Sequence, residues 1–452
     1  MTPQQKGFYL FLFVLYLCRS TGGVETVSPT VVAVTIVKNE GRIIERFVRN
    51  IGNFVDYFVM CDTGSTDNTT RVLEVLSKDP ELPPIHIFNH TWIDYGHNRQ
   101  ECTNTALSLI GDNETLLKGT YLMMLDADYT LWVPPESSYY HLAKTKKLKS
   151  AWKADLRGSE VALWSITESY SYRLRRIWRA DVKCTWKLKV DEYLDCPKDD
   201  YYSLTEIPQT SLWIYDFKDG GNRKTKYDRE MGLAKKGLLN DPSNSRYMFY
   251  IAQRLYDKAE QENNQTKYMM AANAYHRRIE AGGDYHEEIY YSKYRRAKAL
   301  YFGASGTAAN VSGWFLDAWE YRPSRIESIY MLANINRAEG NWNQCIMLTD
   351  VARKTQLPKN DTLFVETNLY TWTSDDLYAL CVYHGKNDAT QAIAAWKRAL
   401  SKCPESEKFR IHNNLMRIIS SPATQKGIIA SVFYCLRSSL DRLFRYLIEL
   451  TM

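Results

Sequence analysis

Two aspartates one residue apart, Asp126 and Asp128 in YLMMLDADYTLWV (121–133), interrupt an apolar run of strand length. Burying unpaired carboxylates is costly, so something positive should meet them. A divalent metal is one answer. Mg²⁺ takes one or two carboxylates and fills its shell with phosphate oxygens, which a nucleoside diphosphate would supply. In such a turn one aspartate ligates the metal while the other reaches a sugar hydroxyl. A second acidic stretch, CDTGSTDNTT (61–70), sets Asp62 at the end of another apolar run, where it can accept hydrogen bonds from a nucleobase. The structural alternative is a well-capped turn: Gly64 permits tight turning, and Ser65, Thr66 and Asp67 start the following helix.

The elements that must carry these residues alternate along the first half. TVVAVTIVKNE (30–40) reads as a buried strand, GRIIERFVRNIGNF (41–54) as a helix, and VDYFVMCD (55–62) as a second strand. TRVLEVLSK (70–78) is a helix, PIHIFNH (84–90) a strand, GHNRQECTNTALSLI (96–110) a helix and TYLMMLD (120–126) a fourth strand. Continuous apolar strands alternating with helices predict an α/β, Rossmann-like, mostly parallel sheet covered on both faces. Ligands bind such sheets beyond the carboxyl ends of the strands. Asn39–Glu40, Asp62–Asp67 and Asp126–Asp128 all fall there. Residues 160–215 alternate aromatic and basic groups and are expected to form antiparallel strands flanking that sheet.

After KDGGNRKTK (218–226) the pattern turns helical, with pairs such as 244–258 with 267–281 and 325–338 with 342–355. Loose recurrence of helix–turn–helix units predicts an all-α, tetratricopeptide-like helical-repeat array. The expected layout is 1–24 signal peptide or signal anchor, 29–216 α/β domain, 217–242 connecting segment, 243–420 repeats and 421–452 amphipathic helix. The stripe within 427–448 reads as a cap on the array or as a membrane-surface helix.

The N-terminal run Phe8–Cys18 is short for a membrane span and has the length of a signal-peptide core. This predicts a secretory lumen or secretion, with a cytoplasmic location as the alternative. The nine cysteines include no C-x-x-C pair, which argues against structural zinc. Sequons occur at Asn68, Asn89, Asn113, Asn264, Asn310 and Asn360 and are compatible with secretion. A net charge of +6 spread over the chain does not suggest nucleic acid.

VKNEGRIIERFVRN, DTGSTDNT, HNRQECTNTAL and MMLDADYTL, in this order and spacing, resemble the nucleotide-sugar motifs of family-2 glycosyltransferases of the GT-A fold. YSYRLRRIWRADVKCTWKLKVDEYL and KDGGNRKTKYDRE resemble the segments that follow in a subset with a tetratricopeptide-like extension. The resemblance implies that the segment from Ile36 and Val37 to Asn39 and Glu40 lines a base pocket and that Asp62 holds the base. Arg99 would face the nucleotide, Asp126 the ribose and, together with Asp128, a Mn²⁺ or Mg²⁺ ion on the diphosphate. Glu192 would be the catalytic base. Asp191 stands where the subset carries His, as a further metal ligand or a sign of lost activity. Arg176, Arg223 and Lys226 would bind diphosphate.

The expected function is therefore metal-dependent, inverting transfer of a sugar from a nucleotide-diphosphate donor, UDP-linked, to a protein, peptide or glycan acceptor. The repeats would face that acceptor or form a homodimer. The alternatives are a catalytically inactive adaptor binding partners through the repeats, and a glycoside hydrolase, which also uses paired carboxylates.

Overall fold

Thr30–Val37 is rich in β-branched residues, which suit a pleated surface covered on both sides, and it forms the buried strand β1. The computed structural model describes residues 28–420 apart from 144, 146, 157, 159, 167–170, 199–202, 209 and 222–224. The expected signal segment 1–24, the helix expected in 421–452, and Arg223 lie outside the described residues. No helix among the described residues is long and apolar enough to cross a membrane. The chain divides into two compact units between Arg254 and Leu255.

In the first unit, β1 pairs in parallel with β2 (Tyr57–Asp62) and with β4 (Thr120–Met124), and β2 pairs in parallel with β3 (Ile85–Asn89). Side chains alternate across β1. Val31 and Ala33 enter one core with Phe47 and Val48 of helix α1 (Ile44–Ile51) and Leu73 of α2 (Thr69–Leu76). Val32 and Val34 enter a second core with Cys102 and Ala106 of α3 (Tyr95–Ile110). Each fully buried large apolar side chain contributes about 1.5–3 kcal/mol, so both faces hold the sheet in register. A disulfide between Cys61 and Cys102 ties β2 to α3.

Beyond β4 the sheet is mixed rather than mostly parallel. The strands from 160–215 extend the sheet instead of flanking it. β6 (Glu160–Ile166) and β7 (Ser171–Arg179) pair antiparallel, and β7 joins β4 antiparallel. The four residues between β6 and β7 are too few for the crossover that a parallel pair needs. β10 (Leu204–Glu206) and β11 (Trp213–Asp216) run parallel to β6, and β5 (Tyr129–Trp132) pairs antiparallel with β11. The small ribbon of β8 (Thr185–Lys187) and β9 (Tyr193–Asp195) carries the second disulfide, Cys184–Cys196. Helices α4 (Glu114–Lys118), α5 (Lys147–Lys153) and α6 (Lys226–Asn240) complete the regular elements before α7 (Ser245–Glu262), within which the division falls.

The second unit is helical. Helices α8 (Gln265–Glu280), α9 (His286–Gly303), α10 (Ala308–Tyr321), α11 (Glu327–Ala338) and α12 (Trp342–Lys354) are followed by α13 (Ser374–Lys386), α14 (Ala389–Lys402) and α15 (Glu405–Ile419). Each packs on the next in sequence from α8 to α15. Fully buried alanines, among them Ala333, Ala379, Ala392 and Ala399, let the helix axes approach closely. A third disulfide joins Cys345 of α12 to Cys381 of α13, and Cys403 is a buried free thiol. A buried polar knot sits at the start of α11: Glu327 accepts hydrogen bonds from Arg325 Nε at 2.9 Å, Tyr290 Oη at 3.0 Å and Tyr370 Oη at 3.2 Å.

Candidate functional site

Parallel pairing brings the carboxyl ends of β1 and β4 side by side, and a cavity of about 650 Å³ opens there within the first unit. Its wall includes Ile36, Val37, Glu40, Arg99, Asp126 and Asp128. Arg176 on β7, Asp191 and Glu192 before β9, and Lys226 at the start of α6 also face it.

Two of the expected residues do something else. Asp62 is buried, and its carboxylate accepts from Ser65 N at 3.0 Å, Gly64 N at 3.3 Å and the Ser65 hydroxyl. It closes its own turn. Asn39 has φ of 59°, in the left-handed region that Asn tolerates better than most residues. Its Oδ1 accepts from Thr66 N at 2.7 Å, pinning the same turn to the end of β1. Neither lines the cavity.

The cation that meets Asp126 is an arginine. Arg99, on α3, is only 4% exposed in its side chain, and its Nη2 and Nε reach Asp126 at 2.5 Å and Glu192 at 2.7 Å. Arg176 stands 3.7 Å from Glu192, and the indole of Trp186 lies under both guanidinium groups, 5.4 Å from Arg99 and 5.0 Å from Arg176. Burial opposes ionisation of Asp126. The charges of Arg99, Arg176 and Lys226 override it and hold its pKa at about 2. Asp191, with φ of 55°, makes a two-pronged contact with Arg254 at 2.7 and 2.8 Å. Arg246 Nε holds the Asp191 carbonyl at 3.0 Å, so the backbone conformation is fixed from both sides.

Glu40 is the exception among the acids. Its Oε2 accepts from Gly221 N at 2.9 Å, laying the segment after β11 against the cavity rim. Gly221 is required there, because a Cβ would stand 1.6 Å from the Asn39 carbonyl. Arg46 and Arg42 of the α1 segment hold Asp219 of the same loop at 2.7–2.8 Å. Burial, with Asp128 and Asp126 nearby, pushes the Glu40 pKa up to about 7 against the Gly221 hydrogen bond. The folded protein therefore binds the Glu40 proton more tightly than the unfolded chain. Stability from this group is complete at acid pH and is lost as pH rises through its folded value. Denaturation midpoints should fall between about pH 5 and pH 8, and Glu40→Gln should flatten that decline.

Sequence reasoning passed over Arg254, Arg246 and Trp186. Arg254 lies 63 residues from Asp191, and no local spacing marks it as a partner. Among the described residues no group of three His, Cys, Asp or Glu side chains could hold a metal ion. Asp126 and Asp191, two of the residues assigned to metal, already bind arginines. What the cavity offers chemically is hydrogen-bond donation: Arg99 Nη1 and Arg176 Nη1 are buried and have no hydrogen-bond partner among the described residues.

No family model matches the sequence, and no curated protein matches it. The solved structures to which the chain is similar include MamA, at 16% identity over 41% of this chain and 87% of that one, TM-score 0.30. They also include YrrB, described as a TPR protein with an unusual peptide-binding site, at 12% identity over 42% of this chain and 86% of that one, TM-score 0.30. TTC0263 from Thermus thermophilus, a thermophilic TPR protein, matches at 14% identity over 43% of this chain and 92% of that one, TM-score 0.29. The expected membership of the family-2 glycosyltransferases is corrected: no family model or curated protein supports it, and two of these similar structures are described as TPR proteins. The expected transferase activity and nucleotide-sugar donor are withdrawn with it. Glu192 and Asp191, two of the carboxylates assigned to that chemistry, pair with Arg99 and Arg254.

Proposed function

We propose that the chain is a non-catalytic adaptor whose helical array, residues 255–420, binds a protein partner. The carrying observation is the sequential stacking of α8 to α15, each helix packed on the next. Such one-dimensional arrays leave long continuous surfaces for partners. Within this array α12 exposes Met347 and Val351, one turn apart, an apolar pair suited to an apolar segment of the partner. Three disulfides among the described residues, two in the first unit and one in the second, support work in an oxidising compartment such as the secretory lumen.

The test is cross-linking mass spectrometry on the full chain recovered with its partner from secreting cells. Cross-links should cluster on Lys267, Lys354 and Lys397, and Met347→Glu with Val351→Glu should weaken association at least about tenfold, or about 1.4 kcal/mol. Unchanged association with cross-links confined to residues 28–254 would sink the reading. Links between two copies of the chain would identify the partner as a second protomer.

A further inference from the structure

The six sequons are not equivalent in the folded chain. Asn264 caps α8 by accepting from Lys267 N at 3.0 Å, and Asn113 caps α4 by accepting from Leu116 N at 3.1 Å. Asn68 packs its side-chain oxygen over Gly41, where a Cβ would stand 1.9 Å away. Asn310 differs. It is exposed in the first turn of α10, with Ser312 supplying the hydroxyl residue of the sequon.

The face of α10 that carries Asn310 also carries Trp314 and Tyr321, each 37% exposed. Tyr321 is engaged: its hydroxyl lies 2.8 Å from His286 Nδ1, and Lys293 stands 5.4 Å from its ring. Lys293 also binds Asp317, between the two aromatics, at 2.7 Å. Trp314 is four residues after Asn310. Side chains at that spacing are neighbours, about 5–6 Å apart at Cβ. A helical side chain leans toward the turn before it, so the indole covers the surface beside Asn310.

We propose that Asn310 carries an N-linked glycan whose first sugar packs on the indole of Trp314. An indole offers a broad apolar face with a polar edge, which matches the C–H face of a pyranose ring with its hydroxyl rim. The modification rests on the oxidising-compartment reading above. There, a membrane-bound oligosaccharyl transferase joins Asn310 Nδ2 to C1 of an N-acetylglucosamine held on a lipid diphosphate. The C1–O bond breaks, the lipid diphosphate leaves with the bonding pair, and the amide nitrogen gives up one proton. No oxidant or reductant is needed. The glycan covers this face of α10 and removes it from the surface open to a protein partner.

Glycopeptide mass spectrometry on the full chain from secreting eukaryotic cells tests the assignment. The peptide holding Asn310 should be mostly glycosylated, and both Asn310→Gln and Ser312→Ala should lose the mass of one glycan. Enzymatic removal of the glycan should speed hydrogen exchange across α10 severalfold in the wild type and leave Trp314→Ala unchanged. Glycans on Asn89 or Asn360 with Asn310 bare would overturn the proposal and leave the compartment standing. No glycan anywhere would overturn both. A glycan on Asn310 whose removal leaves exchange across α10 unaltered would overturn the packing on Trp314.

Discussion

Arg99→Met should cost the first unit about 3–5 kcal/mol, because it strands two carboxylates that one guanidinium now serves. Glu192 is 8% exposed and Arg99 4%, so water cannot take over the lost contacts on that side. Asp126 opens partly to the cavity and suffers less. Arg99→Lys should recover only part of the loss, since an ammonium cannot reproduce a planar fork that points Nε and Nη2 at different partners. Adding Glu192→Gln and Asp126→Asn to Arg99→Met should restore much of the stability, because it removes the stranded charges. Chemical denaturation followed by near-ultraviolet circular dichroism reads this directly. Acid titration provides a second readout. The folded pKa of Asp126 is depressed to about 2, so its contribution is complete above the unfolded value of about 3.9 and is lost as pH falls toward the folded one. In the Arg99→Met protein that step should shrink, since only Arg176 and Lys226 remain to lower the Asp126 pKa. A variant as stable as the wild type with an unchanged acid limb would show that Arg99 does not hold the site together.

Arg325→Met should be comparably damaging to the second unit, by about 3–5 kcal/mol. Arg325 and Glu327 are both fully buried, with side-chain exposure of 0% each. Glu327 keeps the hydroxyls of Tyr290 and Tyr370 and the Glu366 N–H as donors, but loses its counter-charge. Arg325 also donates to the carbonyls of Leu363 and Phe364, each at 3.2 Å, and so holds the segment before α13 against α11. The variant should therefore show its first loss of amide protection around residues 362–373, ahead of the helices that flank it. Pairing the change with Glu327→Gln should recover stability without restoring that segment, since the carbonyls still lack donors. Uniform loss of protection across α8 to α15 would instead show that the knot supports the whole array equally.

How much of this was legible beforehand depended on distance along the chain. The β-branched run of β1 and the apolar runs of β2 and β4 announce buried strands, and the helical spacing of 96–110 marks α3 nearly to its ends. The turn chemistry of DTGSTDNT was readable too, and Asp62 follows the capped-turn alternative: its own loop satisfies it. The partners were not readable. Arg99 and Glu192 are 93 residues apart, and Asp191 and Arg254 are 63 apart. Local pattern shows that carboxylates gather at a sheet edge. It is silent on which distant side chain meets them. The direction of β10 and β11 was hidden for a related reason, since strand direction follows from connections that short, weakly patterned segments do not reveal.

The disulfide between Cys345 and Cys381 has a mechanical side. Its sulfurs are 36 residues apart in sequence and join α12 to α13. Pulled from its ends, the chain cannot release the stretch between them, so on the order of 120 Å of contour stays folded away from the load. Force reaching the array passes through the crosslink, bypassing the loop that Arg325 secures. Under tension that loop is shielded while the bond stays oxidised, and a reductant would show itself as a discrete lengthening of the tether.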